Sequence, residues 1–267
     1  MMTLKKLFAA HCLLRFKLIS FVICGLFSHN VMAQYALPEF NAQYAVHKHG
    51  VKLAEARYQL SYTDDGYKFT QDTKLHGVAG MFARDSVTAV SYIDKIGDNL
   101  LLRKHVYKQT GRENNRDEDI DILWNTYKNT LSAKITGVVR SKAIDLRTDR
   151  EVWDILSFQI PLMIEADEKI REYPYQAMLK GEIGDYIFVM ESSKKIHFSG
   201  KEYKILQLVR TDPEKDRQTH IWIAPGMNNL PLIIENYRDG KEHSRMQLES
   251  VRFNDEEIIE SNSIESI

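Results

Sequence analysis

The chain is poor in the residues that would fix a chemistry or divide it into parts. Two cysteines occur among 267 residues, Cys12 and Cys24, and both lie in the first 33. The remainder therefore has no disulfide, thiolate nucleophile or cysteine metal site. Prolines number only six, and no Gly-, Ser- or Pro-rich linker divides the sequence. There is no basic stripe of the kind that grips nucleic acid. G-x-S-x-G, Walker, H-E-x-x-H and G-x-G-x-x-G motifs are all missing.

The first 33 residues do have a pattern. Lys5, Lys6, Arg15 and Lys17 stand there without an acid, followed by an apolar stretch over residues 18–27 and then Val31-Met32-Ala33. That order is expected of a secretory leader cleaved after Ala33. The apolar run, roughly ten residues, is short of the roughly 20 a spanning helix needs. Val22 and Ile23 before Cys24 are too bulky for a lipoprotein signal. Loss of the leader takes the formal charge from −1 to −5, and leaves no expected transmembrane span. An exported chain free of disulfides fits a bacterial periplasm.

Residues 34–253 read as a single β-rich domain, and residues 254–267 as a flexible, acidic, Ser-rich tail. In LAEARYQLSY, Ala54, Ala56, Tyr58, Leu60 and Tyr62 share one face, and Glu55, Arg57, Gln59 and Ser61 the other. Period 2 with one apolar face predicts a strand of an antiparallel sheet. Asp64-Asp65-Gly66 predicts a turn. VTAVSY, LLLRKHVY, DIDILW, LSAKITGVV, YIFVME, YKILQLV, THIWIA, PLIIENY and SRMQLESV have comparable patterns, with turns at residues 97–99, 125–129 and 239–240. The expected fold is mainly β, a curved antiparallel sheet forming a half-barrel, barrel or sandwich. One central amphipathic helix is expected in DREVWDILSFQIPLMIEADE, from Val152, Ile155, Leu156 and Gln159. Its N-cap would be Asp149, and Pro161 would break or kink it.

Candidate chemistry is sparse. Asp117, Asp119 and Asp121 resemble the start of a calcium loop, but Ile122 and Lys128 stand where that loop needs Gly and a bidentate acid. Period 2 makes them one solvated strand face instead. His47 and His49 form an H-x-H that a strand would point to one side, without a third ligand. HGVAGMF, residues 76–82, reads as a bulge or close-packed bend. In HIWIAPGMNNLPLIIE, residues 220–235, Ile221 and Ile223 oppose His220, Trp222 and Ala224. The strand is apolar on both sides, with His220 expected as a hydrogen-bonded residue near a sheet edge. Trp124, Trp153 and Trp222 are expected to fill the core. No catalytic residue, metal site or cofactor is assigned.

VWDILSFQIPL, THIWIAPGMNNLPLIIENYRDG and the closing QLESV together resemble the bacterial exported family catalogued as domain of unknown function 3108. The resemblance covers most of residues 40–253. It includes the hairpin YAVHKHGVKLAEARYQL, a D-x-L-S at Asp154, Leu156 and Ser157, and an I-W-x-A-P strand returning through L-P-x-x-I. This chain departs in having Asp154 within VWDI rather than a proline-containing helix start. The resemblance implies an exported, mainly β protein, and brings no catalytic residues. Two functions follow as expectations. The first is non-enzymatic binding, in the periplasm, of an apolar ligand such as a lipid, or of an envelope partner protein. The alternative is a hydrolase acting on envelope glycan or peptidoglycan through a facing pair of carboxyl groups.

Overall fold

The computed structural model describes residues 37–76, 86–111, 115–127, 130–254 and 258–260. The leader with Cys12 and Cys24, and most of HGVAGMF, lie outside them.

Among the described residues sixteen strands form one sheet. In chain order they are β1 (Phe40–Lys48), β2 (Val51–Tyr62), β3 (Gly66–Leu75), β4 (Ser86–Ile96), β5 (Asn99–Gln109), β6 (Glu118–Tyr127), β7 (Thr130–Val139) and β8 (Lys142–Thr148). The second half holds β9 (Val152–Asp154), β10 (Glu172–Leu179), β11 (Glu182–Phe198), β12 (Lys201–Asp212), β13 (Arg217–Ala224), β14 (Leu230–Arg238), β15 (Lys241–Phe253) and β16 (Ile259–Glu260). Between β9 and β10 lies one helix, α1 (Gln159–Glu165).

The order across the sheet is β8 back to β1, then β15 back to β9, with β16 paired on β15. Every step of that path is antiparallel except β9 with β10, which is parallel. The meander follows from short turns between alternating strands, since antiparallel neighbours need only tight connections. The sheet curls into a nearly closed, barrel-like form. Its two ends are consecutive in sequence, and their side chains meet. Thr148 Oγ1 on β8 donates to Gln176 Oε1 on β10, and Arg150 bonds Asp185 at 2.7 Å. A Cβ built on Gly181 would lie 3.3 Å from Ile144. No backbone ladder joins β8 to β9 or β10.

Register shows what fills the interior. Directly opposed residues share a face, so one row can be followed across many strands. Phe253 faces Phe40, Phe40 faces Leu60, and Leu60 faces Phe69. Phe69 faces Ser91, Ser91 faces His105, and His105 faces Ile120. Ile120 faces Gly137, which faces Ile144. The predicted inward set of β2 is correct for Ala54, Ala56, Tyr58 and Leu60, all buried, while Tyr62 at the strand end is 39% exposed. Phe40, Phe69 and Tyr58 meet edge-on or tilted, with ring centres under 6 Å apart. Such contacts add to the roughly 2 kcal/mol that burying each large apolar side chain contributes.

The helix differs from the expected one. Val152-Trp153-Asp154 is an extended segment pairing Gln176, Ala177 and Met178. All three residues are buried; of the four residues at helical spacing, Val152, Leu156 and Gln159 are buried but Ile155 is 54% exposed, and only Gln159 lies in the helix. The helix starts only at Gln159, and Asp149 does not cap it. Pro161 neither breaks nor kinks it. It occupies the first turn, where its missing N–H would have had no helical partner. Gln159, Ile160, Pro161, Leu162 and Met163 are buried, so α1 packs almost wholly into the protein.

Candidate functional site

The interior row contains two residues that do not belong in an apolar core, Ser91 and His105. Both are at most 1% exposed. The strands that hold them are fixed by their apolar neighbours, Ala89 and Ile93 on β4 and Leu102 on β5, all buried. Their partner arrives from β9. Asp154, also 1% exposed, places Oδ2 2.7 Å from Ser91 Oγ and 3.3 Å from His105 Nδ1.

The rest of that carboxylate is held by its own segment. Oδ1 accepts the backbone N–H groups of Leu156 at 2.7 Å and Ser157 at 2.9 Å. Ser157 Oγ donates to Oδ2 at 2.7 Å and lies 3.1 Å from the N–H of Asp154, which donates to it. The D-x-L-S of the sequence is thus a closed turn tied to the far wall. Short polar side chains form such turns because they reach their own backbone two and three residues on.

The electrostatics follow from the pairing. Burial alone would raise the Asp154 carboxyl. The His105 charge and the bonds from His105, Ser91 and Ser157 outweigh it and hold the carboxyl at about 2. Burial alone would lower the His105 imidazole, but the charge and hydrogen bond of Asp154 lift it above its ordinary value. Glu118 is inward-facing on β6 beside Ile120. It is raised by burial and by Asp154, against the pull of His105, Arg140 and Lys180.

Serine, histidine and aspartate meet here, but not as a proton relay. In a relay the hydroxyl and the carboxylate sit on opposite ring nitrogens. Here Ser91 Oγ, at 3.2 Å, and Asp154 both face Nδ1. Ser91 also bonds the carboxylate directly, and a carboxyl held at about 2 is a poor base. Among the described residues His105 Nε2 is buried without a hydrogen-bond partner. The cluster is a clamp that fixes the β9–α1 segment inside the sheet.

The segment HIWIAPGMNNLP has two roles. Asn229 Nδ2, just past a short 3-10 turn over Pro225–Met227, donates to the carbonyls of Met163 at 2.8 Å and Ala166 at 3.2 Å. It satisfies the C-terminal end of α1, whose last carbonyls have no helical partner. His220 is not near an edge, because β13 lies between β12 and β14. Its ring is 4.5 Å from that of Tyr237, and Nδ1 is 3.4 Å from Gln207 Nε2. Glu235 receives Tyr237 OH at 3.3 Å and Trp222 Nε1 at 3.4 Å, with Arg245 at 3.6 Å. Lys194 Nζ caps the Trp222 ring at 4.2 Å. These groups mostly satisfy one another on the outer face. The strand is buried on both sides from Ile221 to Ala224, as its pattern predicts, although a bulge after Trp222 shifts Ile223 opposite Pro231.

The other candidates are not brought together. Asp119 and Asp121 point outward, 63% and 66% exposed, and share Lys104 at 2.8 and 3.0 Å. Asp117 accepts the Gln109 N–H at 3.1 Å. His47 lies on β1 opposite Arg245. His49 does not share its face. It sits in the following turn at φ 50°, its ring 6.1 Å from His243. Among the described residues no three His, Cys, Asp or Glu side chains are grouped to hold a metal. No helix of the described residues is long and apolar enough to cross a membrane. Trp153 and Trp222 are buried, and Trp124, half-buried, donates to the Leu102 carbonyl at 2.7 Å.

Fold and clamp define a barrel-like sheet built around an internal helical segment. The chain belongs to the family described as "Protein of unknown function (DUF3108)", which matches residues 39–246. A solved structure with a similar fold is a β-barrel-like protein of domain of unknown function 1849 from Brucella abortus. It has 9% identity and a TM-score of 0.56, over 83% of this chain and 100% of that one. At that identity the likeness is one of fold alone. No curated protein matches this chain.

Proposed function

We propose that this is an exported envelope protein that acts without catalysis, binding an apolar, lipid-like ligand within its curled sheet. The observation that carries the reading is the interior row, apolar and aromatic on both sides of one polar clamp. Interiors lined by apolar side chains with few placed polar groups suit apolar ligands. The gap between β8 and β9–β10, bridged by side chains alone, supports entry from the side, because opening it costs no backbone ladder. Export rests on the leader pattern of residues 1–33, and the periplasm on the absence of cysteine after it. The relative from Brucella abortus lends its barrel-like form and nothing about a ligand.

Two measurements test this. Cell fractionation with leader-deleted and intact chains reads export. Titration with an N-phenylnaphthylamine probe reads binding: saturable fluorescence at one probe per chain, displaced by lipid extract, is expected. A flat titration, or uptake that never saturates, would overturn the binding reading.

A further inference from the structure

The two ends of the curled sheet are not alike. At one end, near the turns at residues 63–65 and 97–98, the inward side chains are closed to solvent: Phe40, Leu60, Tyr67, Ile93 and Phe253 are all buried. At the other end, near the turns at residues 49–50 and 239–240, solvent reaches the inner face. Val46, Met246 and Ile234 lie directly opposite one another on β1, β15 and β14, in the row of the inward Ala54. All three are only partly buried. Leu75 on β3, opposite Ala54, is partly exposed too. So are Val87 and Tyr107, inward on β4 and β5. This end therefore presents apolar side chains from six strands to water.

Period 2 carries the same face out to a rim of cations. Lys48 stands two residues beyond Val46 on β1, and Arg238 four beyond Ile234 on β14. Arg217 on β13 and Lys241 on β15 lie directly opposite Arg238 on its two sides. All four cations are exposed. Elsewhere Lys52, Lys104 and Arg210 stand beside carboxylates. Among the described residues none of these four has an ion-pair partner, although Asp216 and Asp239 stand in the same turns. His243 feels the grouping: desolvation, and then Arg238, Lys48, His49 and Arg217, hold its imidazole below its ordinary value. Like charges directly opposed destabilise a sheet. An anion bound across them would remove that penalty.

We infer that this open end docks a single-chain amphiphile with an anionic head, a carboxylate or a phosphate. The head lies on Arg217, Arg238 and Lys241, and the chain covers Val46, Ile234 and Met246. Apolar lining with a few placed charged groups suits such a ligand. The inference rests on the binding reading above, and adds to it the end of the sheet and the charge of the ligand.

The test is calorimetry and methionine-methyl NMR of the purified protein, titrated separately with decyl phosphate, decanol, decyltrimethylammonium and inorganic phosphate. Decyl phosphate is expected to bind about tenfold more tightly than decanol, as one or two charge-assisted contacts at an exposed rim imply. Decyltrimethylammonium should bind more weakly than either. The Met246 methyl resonance should move with decyl phosphate, and the preference for it should shrink at high salt. Arg217→Glu combined with Arg238→Glu, both exposed and beside turns, should keep the fold and reverse the order of the two charged ligands. Equal binding of decyl phosphate and decanol, or an order unchanged in the double variant, would overturn the anionic head. Binding with an unmoved Met246 resonance would overturn the location and leave the binding reading standing. Inorganic phosphate bound as tightly as decyl phosphate would overturn the amphiphile and make the rim a site for free anions. Failure of all three decyl compounds to bind would overturn the binding reading itself.

Discussion

Replacing Asp154 by alanine removes the knot between the β9–α1 segment and the opposite wall. Five donors lose their acceptor: the Ser91 and Ser157 hydroxyls, the Leu156 and Ser157 N–H groups, and His105 Nδ1. Two of the losses can be made good. Without the carboxylate His105 becomes neutral, since burial favours the uncharged ring, and Ser91 can then bond Nδ1. The two N–H groups stay buried and unmet, at about 1–3 kcal/mol each. Breaking a buried ion pair by removing one partner costs about 3–5 kcal/mol, much of it this same penalty. The expected loss is about 4 kcal/mol, a large part of the roughly 5–15 kcal/mol that holds a domain folded. Urea unfolding reads it. At a slope of about 3 kcal/mol per molar, the midpoint should fall by about 1–1.5 M. Asp154→Asn keeps an oxygen for the N–H groups and should lose about half as much. Chemical-shift titration of His105 should show its pKa falling in both variants. A loss below about 1 kcal/mol for Asp154→Ala, with an unchanged His105 titration, would refute the clamp.

Other outcomes follow from the same clamp and sheet. The carboxyl of Asp154 is depressed, so its stabilisation is complete above the unfolded value near 3.8 and is lost as pH falls toward about 2. That contribution is about 2 kcal/mol. His105 is raised, so its share is complete below the unfolded value of 6.5 and is lost as pH rises through the folded one. Stability against urea should therefore fall at both ends of that window, and Asp154→Ala should flatten the curve. Gly137→Ala would place a Cβ 2.1 Å from the Asp119 carbonyl oxygen, at φ +153°, and should destabilise by about 3 kcal/mol in thermal unfolding. Changing Asp119 and Asp121 together to asparagine should move stability by no more than about 1 kcal/mol, because both are solvated. Calorimetry with calcium should show no heat attributable to them.

Most strands were legible because they alternate between an apolar inner face and a wet outer one. Period 2 survives in β2, β4 and β6, where residues such as Ala56, Ile93 and Ile120 lie inside. It failed at Val152–Asp154, buried on all sides, where no face could repeat, while Val152, Ile155, Leu156 and Gln159 together imitated a helix. Pro161 misled for a related reason, since its effect depends on whether it lies in the first turn, and the first turn was misplaced. The clamp left one signal in the sequence. Ser91 and His105 are polar residues at inward positions of otherwise apolar strands. What could not be read was the partner, because Asp154 lies 63 residues beyond Ser91 and meets it only when the sheet curls. Asn229 was legible as a turn residue, but its bonds to the end of α1, more than sixty residues earlier, depend on the same curling.

The measurement closest to the central claim is native mass spectrometry of the protein purified from the periplasm, followed by organic extraction and analysis of what it carries. The account predicts one co-purified apolar molecule per chain, released when Asp154→Ala loosens the internal segment. A protein that leaves the periplasm empty, and stays empty after incubation with envelope lipid, would contradict it.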